Sequence, residues 1–388
     1  MNIEALHVIV VGGAIAGTAA SILLARAGAR VTLLERVADP KGVGAGIGIA
    51  ENGLAVLESI GLGPALAAVA VRVPAPRIVD GAGRVLFVPP GTTPKVMMVR
   101  RADLQQLLLD AVLAEPNIER LFGAEVISSD RTGGITVRMD GGARTRRLRG
   151  DFVIGADGVH SRVREAGDHE ASVSRPGLSY VRAVVAGVEP RGEEAWTSAG
   201  LFGSFAVPGG AYVYASAGGR DVRRALADRD LERFRSAWAR AYPPAASILA
   251  RLERWEDLLV NPVLSVHCLW WWSERQVLVG DAAHAMAPNL GQGANSALVD
   301  VAVLLDELRR ATRLESAFAS YQARRQSAVG RVARMSARLG ALAEITNPLG
   351  RFLRDRMLMP ALSLAARTST PTDVLQEPTA KLLAIGRA

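Results

Sequence analysis

The stretch from Val8 to Glu35, VIVVGGAIAGTAASILLARAGARVTLLE, constrains this chain more than any other. Four apolar β-formers, Val8 to Val11, run into Gly12 and Gly13; a helical segment follows to Gly28, and Val31 to Leu34 read as a second strand ending on Glu35. Strand, glycine turn, helix and strand in that order predict a βαβ unit. Gly12 and Gly17 fall where a dinucleotide fingerprint needs a tight turn and a close helix–strand approach, so that the helix N-terminus faces a pyrophosphate. The middle position is Ala14 rather than the commoner glycine, with Gly13 beside it keeping the turn pliable. Glu35 lies about 20 residues on, where an acceptor for a ribose hydroxyl belongs. The run from Val8 to Ala25 is apolar enough to suggest a membrane span, yet Glu4 precedes it and no Lys or Arg occurs before Arg26. A signal peptide or anchor wants a positive flank there, so a βαβ unit is the better reading.

At 388 residues the chain is long for one core and is expected to form two domains. Its net charge of +8 comes almost wholly from arginine, because Lys41, Lys95 and Lys381 are the only lysines. Arg144, Arg146, Arg147 and Arg149 form a basic cluster within an alternating segment that reads as a solvated strand, and no aromatic nucleic-acid motif accompanies them. An overall basic field for anionic cofactors is expected rather than nucleic-acid binding. Cys268 is the only cysteine, which excludes an intrachain disulfide framework and a CxxC centre. The five histidines lack metal-ligand spacing, so no metal is expected, and a cytoplasmic location follows from the absence of an export signal.

Further along, Lys41 to Glu51 is a glycine-dense loop that lets main chain approach a flat ligand, and Val73 to Pro94, with its VLFVPPG run, reads as an excursion into a second domain. Leu104, Leu107, Leu108, Ala111 and Val112 make one helical stripe behind Arg101, which stands at the helix mouth. Ile118 to Arg149 reads as an antiparallel meander. A buried strand, Phe152 to Ile154, then delivers Gly155-Ala156-Asp157-Gly158, with Ser161 placed to cap a short helix. Ser172 to Val263 has the texture of a second β-domain, in which Tyr212 and Tyr214 share one strand face as core aromatics or substrate contacts. The most specific stretch is late: a strand at Val277 to Val279 leads to Gly280-Asp281, and Gly291-Gln292-Gly293-Ala294-Asn295 opens a helix carrying Leu298, Val301, Leu305 and Leu308 on one face. Asp281 can accept from sugar hydroxyls, and the glycine-rich helix start can bind a ring oxygen that gains negative charge. His284 in this segment is read as a packing residue rather than a proton carrier. The tail from Ser316 to Arg367 is helical in pattern, interrupted at Pro360, and is read as cover over the active site or as a subunit contact; a monomer or a homodimer is expected.

Taken together, GGAIAG with Glu35, GADG at 155–158, and GDAAH…P…GQGAN at 280–295 resemble the flavin-dependent aromatic hydroxylases of the para-hydroxybenzoate hydroxylase type, over about residues 5–365. The resemblance implies an α/β fold: a Rossmann-like FAD-binding domain of glutathione-reductase type (1–72, 95–171 and 265–330), an inserted α+β substrate domain (73–94 and 172–264) and C-terminal helices (331–388). It implies that Gly12, Gly13, Ala14, Ile15, Ala16, Gly17 and Glu35 hold the ADP half of FAD, with Arg36 also in the cofactor site. Gly46, Ile47, Arg101, Val126, Gly280 and Asp281 complete the implied cofactor site, with Asp281 on the ribityl chain. Pro288, Gly291, Gly293, Ala294 and Asn295 border the flavin ring, and Asp157 supports flavin and nicotinamide alike. The implied reaction is NAD(P)H-dependent hydroxylation of a small aromatic or polycyclic substrate with molecular oxygen, through a hydroperoxide at flavin C4a. An oxidase or dehydrogenase, or a non-catalytic flavin-binding protein, is the alternative. Phe202, Phe205, Tyr212 and Tyr214 are the substrate-pocket candidates, by position in the second-domain sheet.

Overall fold

The computed structural model describes residues 1–42, 44–89, 96–366 and 376–386, so Val43, the Pro90-Gly91 end of the VLFVPPG run, Pro94 and Lys95 lie outside the described residues. Its first layer is a six-stranded sheet in the order Trp272–Ser273, Gln276–Leu278, Phe152–Gly155, His7–Val11, Arg30–Glu35 and Ile118–Phe122. All neighbours run parallel except the first hairpin pair. His7–Val11 is apolar almost throughout and closed on both faces, as a central parallel strand requires. Ile15–Arg26 is buried nearly all round, packed against Gly293–Arg310 and Arg101–Ala114. Ile118–Phe122 is not part of the meander. It pairs in parallel with Arg30–Glu35, and the antiparallel meander begins only at Glu125.

A three-stranded sheet, Gly46–Ile49, Val96–Arg100 and Ala70–Val73, joins this layer to a seven-stranded one. The seven strands are Leu259–Pro262, Ser179–Ala186, Gly210–Ser216, Gly200–Val207, Glu193–Thr197, Arg77–Asp80 and Val85–Phe87, in that spatial order. Alternation sorts its side chains. Val181, Ala183, Val213, Ala215 and Phe202 face a helical core with Phe234, Trp238 and Tyr242, whereas Tyr180, Tyr212, Tyr214 and Phe205 lie in separate clusters on the other face.

The long helix Leu314–Ala343 is followed by helical chain from 348 to 366. Pro360 does not interrupt it. A π-turn over Arg354–Leu358, in which the Met359 amide donates to Arg354 O, precedes the proline and adjusts the helix where Pro360 cannot donate.

Trp238 is fully buried against Phe202 and Phe234 at ring-centroid distances of 5.3 and 6.5 Å. Replacing it with alanine is expected to cost about 3–5 kcal/mol. Urea unfolding followed by far-UV circular dichroism checks this, and a loss below about 1 kcal/mol contradicts the packing described.

Candidate active site

Four neighbouring strands end at one edge of the parallel sheet, and each releases a loop that the sequence singles out: Glu35 and Arg36, Gly12 to Gly17, Ala156 to Gly158, and Gly280-Asp281. Main chain ties them together. Gly12 N donates to Leu34 O at 2.8 Å, Ala156 N to Val11 O at 2.8 Å, and Val279 N to Gly155 O at 3.0 Å. Gly12 has φ +105°, and a Cβ there would lie 2.4 Å from Ala156 O; a Cβ on Gly17 would lie 1.8 Å from Gly12 O. These two glycines are therefore demanded by close approach. Ala14 has φ −84° and ψ −169°, an extended backbone that any residue adopts, so its side chain costs the turn nothing. The helix at Ile15 has no side-chain cap, which leaves the first-turn amides, those of Ile15 and Ala16 among them, without an intrahelical partner.

Glu35 closes this end of the edge. Its carboxylate accepts from Gly13 N at 2.8 Å and Val37 N at 2.9 Å, leaving lone pairs for ribose hydroxyls. Gln105, which the sequence reading passed over, donates to Gly13 O at 2.7 Å and fixes the same turn. Arg36 is exposed, and Ala124 N donating to Glu35 O at 2.9 Å brings the buried Val126 segment alongside.

Asp157 accepts from the amides of Arg162 at 2.7 Å and Val163 at 3.2 Å through one oxygen, while the other is buried without a partner. Burial pushes its pKa up, opposed by hydrogen bonds from Ser161 and the main chain. Asp281 is exposed and makes no hydrogen bond or ion pair among the described residues. Arg101 is accessible to solvent yet set among enough protein that desolvation lowers its pKa, with Asp281 opposing and Arg182 adding to that shift.

The third segment carries Pro288–Leu290 as a short 3-10 turn, then Gly291 and the helix Gly293–Arg310, whose start again lacks a side-chain cap. The amides of Gly293, Ala294 and Asn295 are thus available to an anionic ring edge. The Asn295 side chain is fully occupied elsewhere. It accepts from Ala50 N at 3.0 Å and donates to Gly48 O at 3.0 Å and Gly291 O at 2.9 Å, stapling the strand with Gly46 and Ile47 to the helix start.

Beneath lies a buried ionic group that sequence patterning does not reveal, because its members look like ordinary helix residues. Asp300 accepts from Gly280 N at 3.0 Å, contacts His284 Nε2 at 2.5 Å and accepts from Arg325 Nε at 2.8 Å. Burial alone would raise the Asp300 carboxyl; His284 and Arg325 hold it below its usual range. His284 also lies tilted against Trp271 with ring centroids 4.8 Å apart, so it is packed against the core and bound to the Asp300 carboxylate at once.

The second sheet presents an aromatic ladder to this edge. Phe205 stacks on Tyr214 and Tyr214 on Tyr212, each at 5.7 Å, and the Tyr212 ring occupies the space a side chain on Gly46 would need, 2.5 Å from its Cβ position. Tyr214 Oη donates to Glu194 at 2.6 Å, as does Trp196 Nε1. The structure does not bring Phe202 to this group. Three residues from Phe205 on a strand, it points to the opposite face and packs with tilted rings against Trp238 and Tyr242 in the helical core. Arg182, not singled out in the sequence, pairs in register with Tyr214 and carries no ion pair among the described residues.

Residues 5–336 match the family model described as an FAD binding domain. The chain belongs to the family of FAD-dependent aromatic hydroxylases. This FAD-dependent monooxygenase is 29% identical over 369 residues to the aurachin C monooxygenase/isomerase of Stigmatella aurantiaca, covering 91% of this chain and 94% of that protein. It is 29% identical over 416 residues to a kynurenine 3-monooxygenase of Salinispora arenicola, covering 96% and 90%. Its fold is that of tetrameric 2-methyl-3-hydroxypyridine-5-carboxylic acid oxygenase, with a TM-score of 0.76, 22% identity, and coverage of 94% and 97%. The residues at the edge fit FAD on their own terms: two uncapped helix starts, a glycine cradle that admits no Cβ, and an orphaned Asp157 oxygen.

Gly17→Ala in this FAD-binding fold is expected to yield protein with little bound FAD, read from the absorbance of the purified enzyme. Asp300→Asn leaves Arg325 as an uncompensated buried charge, and a loss of about 3–5 kcal/mol in thermal unfolding is expected. A change below about 1 kcal/mol contradicts the role given to this network.

Proposed function

We propose that this monooxygenase uses NAD(P)H and molecular oxygen to hydroxylate a small electron-rich aromatic or polycyclic compound. Gly12 to Gly17 and Glu35 hold the ADP half of FAD, Asp281 the ribityl chain, and Asp157 the turn visited by nicotinamide. The amides of Gly293 to Asn295 would hold the polar edge of the flavin ring, where positive helix potential favours the anionic reduced form. FAD, when bound, supplies both the acceptance of hydride and the activation of oxygen. The protein's part is to orient substrate and exclude water.

The observation that carries this reading is the contact of Tyr212 with Gly46. It sets the ladder of Phe205, Tyr214 and Tyr212 directly against a cofactor-loop strand that Asn295 ties to the flavin-facing helix start. A flat aromatic guest packs on such a ladder in an offset geometry. Burial and Glu194 push the Tyr214 phenol pKa well up, so it stays neutral and keeps its proton on the bond to Glu194. Two relatives are named for kynurenine and for aurachin C, which supports a substrate with an aromatic ring. The sheet carrying the ladder is assigned to substrate and the parallel sheet to cofactor.

FAD-loaded enzyme, NAD(P)H, ¹⁸O₂ and a panel of phenols, anilines and quinolones test this by mass spectrometry. One labelled oxygen atom in a product is expected. Oxygen consumption that ends only in hydrogen peroxide across the panel overturns hydroxylation in favour of an oxidase. Tyr212→Ala and Tyr214→Ala are expected to lower product formed per NAD(P)H consumed without loss of FAD. Unchanged coupling in both removes them from the pocket.

A further inference from the structure

Residues 348–366 expose an unusual amount of large apolar surface for a surface helix. Leu349, Phe352, Met357 and Leu364 are 69%, 60%, 65% and 68% accessible, with Leu353, Leu358 and Leu362 also exposed. Leu349, Phe352, Leu353, Met357 and Leu364 recur at helical spacing and form one outward stripe. The opposite side is fastened inward. Met359 is buried in a cluster with Tyr180, Trp196 and Leu201, and the buried Arg354 donates to Leu342 O at 3.0 Å and lies 5.4 Å over the Trp196 ring. The apolar stripe is therefore held outward by specific contacts on its back.

The sequence around it is predominantly basic. Between Gln326 and Ala366 the only acids are Glu344 and Asp355, against Arg331, Arg334, Arg338, Arg351, Arg354 and Arg356. Asp355 is paired with Arg354, and Glu344 sits against Gly218 of the second sheet. Arg331, Arg334, Arg338 and Arg356 are exposed and have no carboxylate partner among the described residues. A second copy of the chain suits this face poorly, because a two-fold contact brings two copies of the same net-positive surface together. Among the described residues no helix is long and apolar enough to cross a membrane.

We infer that the helical segment 348–366, with the exposed arginines of the preceding helix, docks this enzyme on an anionic lipid bilayer, its apolar stripe in the interfacial region and its guanidiniums on headgroup phosphates. The stripe backs directly onto Trp196 and Tyr180, so docking places the aromatic sheet face close to the bilayer.

Flotation of the FAD-loaded protein with phosphatidylcholine vesicles, with and without phosphatidylglycerol, tests this. Binding to the anionic vesicles only, falling with added salt, is expected, weakening roughly fivefold per arginine in Arg331→Gln, Arg334→Gln and Arg338→Gln. Phe352→Ser with Met357→Ser is expected to abolish binding while FAD content stays at the parent level. Equal binding to both vesicles, no binding to either, or a concentration-dependent dimer that the same serine substitutions disperse each overturns the inference.

Discussion

The parallel register of four strands is the constraint on which the site depends. Val11 lies opposite Leu34 on one side and Gly155 on the other, and Gly155 lies opposite Leu278. Parallel strands in register end together, so motifs far apart in sequence emerge in one row at spacings of about 4.8 Å. Glu35, the Gly12 turn, the Asp157 turn and Asp281 are therefore neighbours because of how the strands pair. Glycine then sets how closely the loops approach, since Gly17 sits on Gly12 O and Gly12 on Ala156 O with no room for a methyl group.

A row of polar loops needs support from beneath, and here it is ionic. Asp300, Arg325 and His284 are all buried, and the group touches the loop edge through Gly280 N. Such a cluster is costly to bury and gains little net stability over apolar packing; what it does here is hold Gly280 N, His284 and Arg325 on one carboxylate. The same group reaches the C-terminal segment, where Gln376 bridges Arg325 and Ser296 at 2.6 and 2.8 Å. Gln376 is thus in contact with the group that supports the helix Gly293–Arg310.

What sequence patterning reveals follows from how local each signal is. The Val8 to Glu35 unit and the GDAAH…GQGAN segment were legible because their glycines, acids and apolar periods lie within single supersecondary units. Sequence alone does not place Ile118–Phe122, because edge strands of parallel and antiparallel sheets share one alternating texture; only pairing with Arg30–Glu35 distinguishes them. Phe202 and Phe205 share a strand, but a spacing of three puts them on opposite faces, a distinction available from strand periodicity alone. Asp300, Arg325, Gln105 and Arg182 were invisible for the opposite reason, since each gains its meaning from a partner or a neighbouring strand far away in sequence.

The proposed function requires four strand-end loops and one helix start to grip a single FAD against the aromatic ladder. A crystal structure of the FAD-loaded enzyme tests it most directly. It is expected to show ribose hydroxyls on Glu35, the ribityl chain on Asp281, and the flavin C2=O edge at the amides of Gly293 to Asn295. FAD seated elsewhere, or a ring whose C2=O edge points away from that helix start, contradicts it.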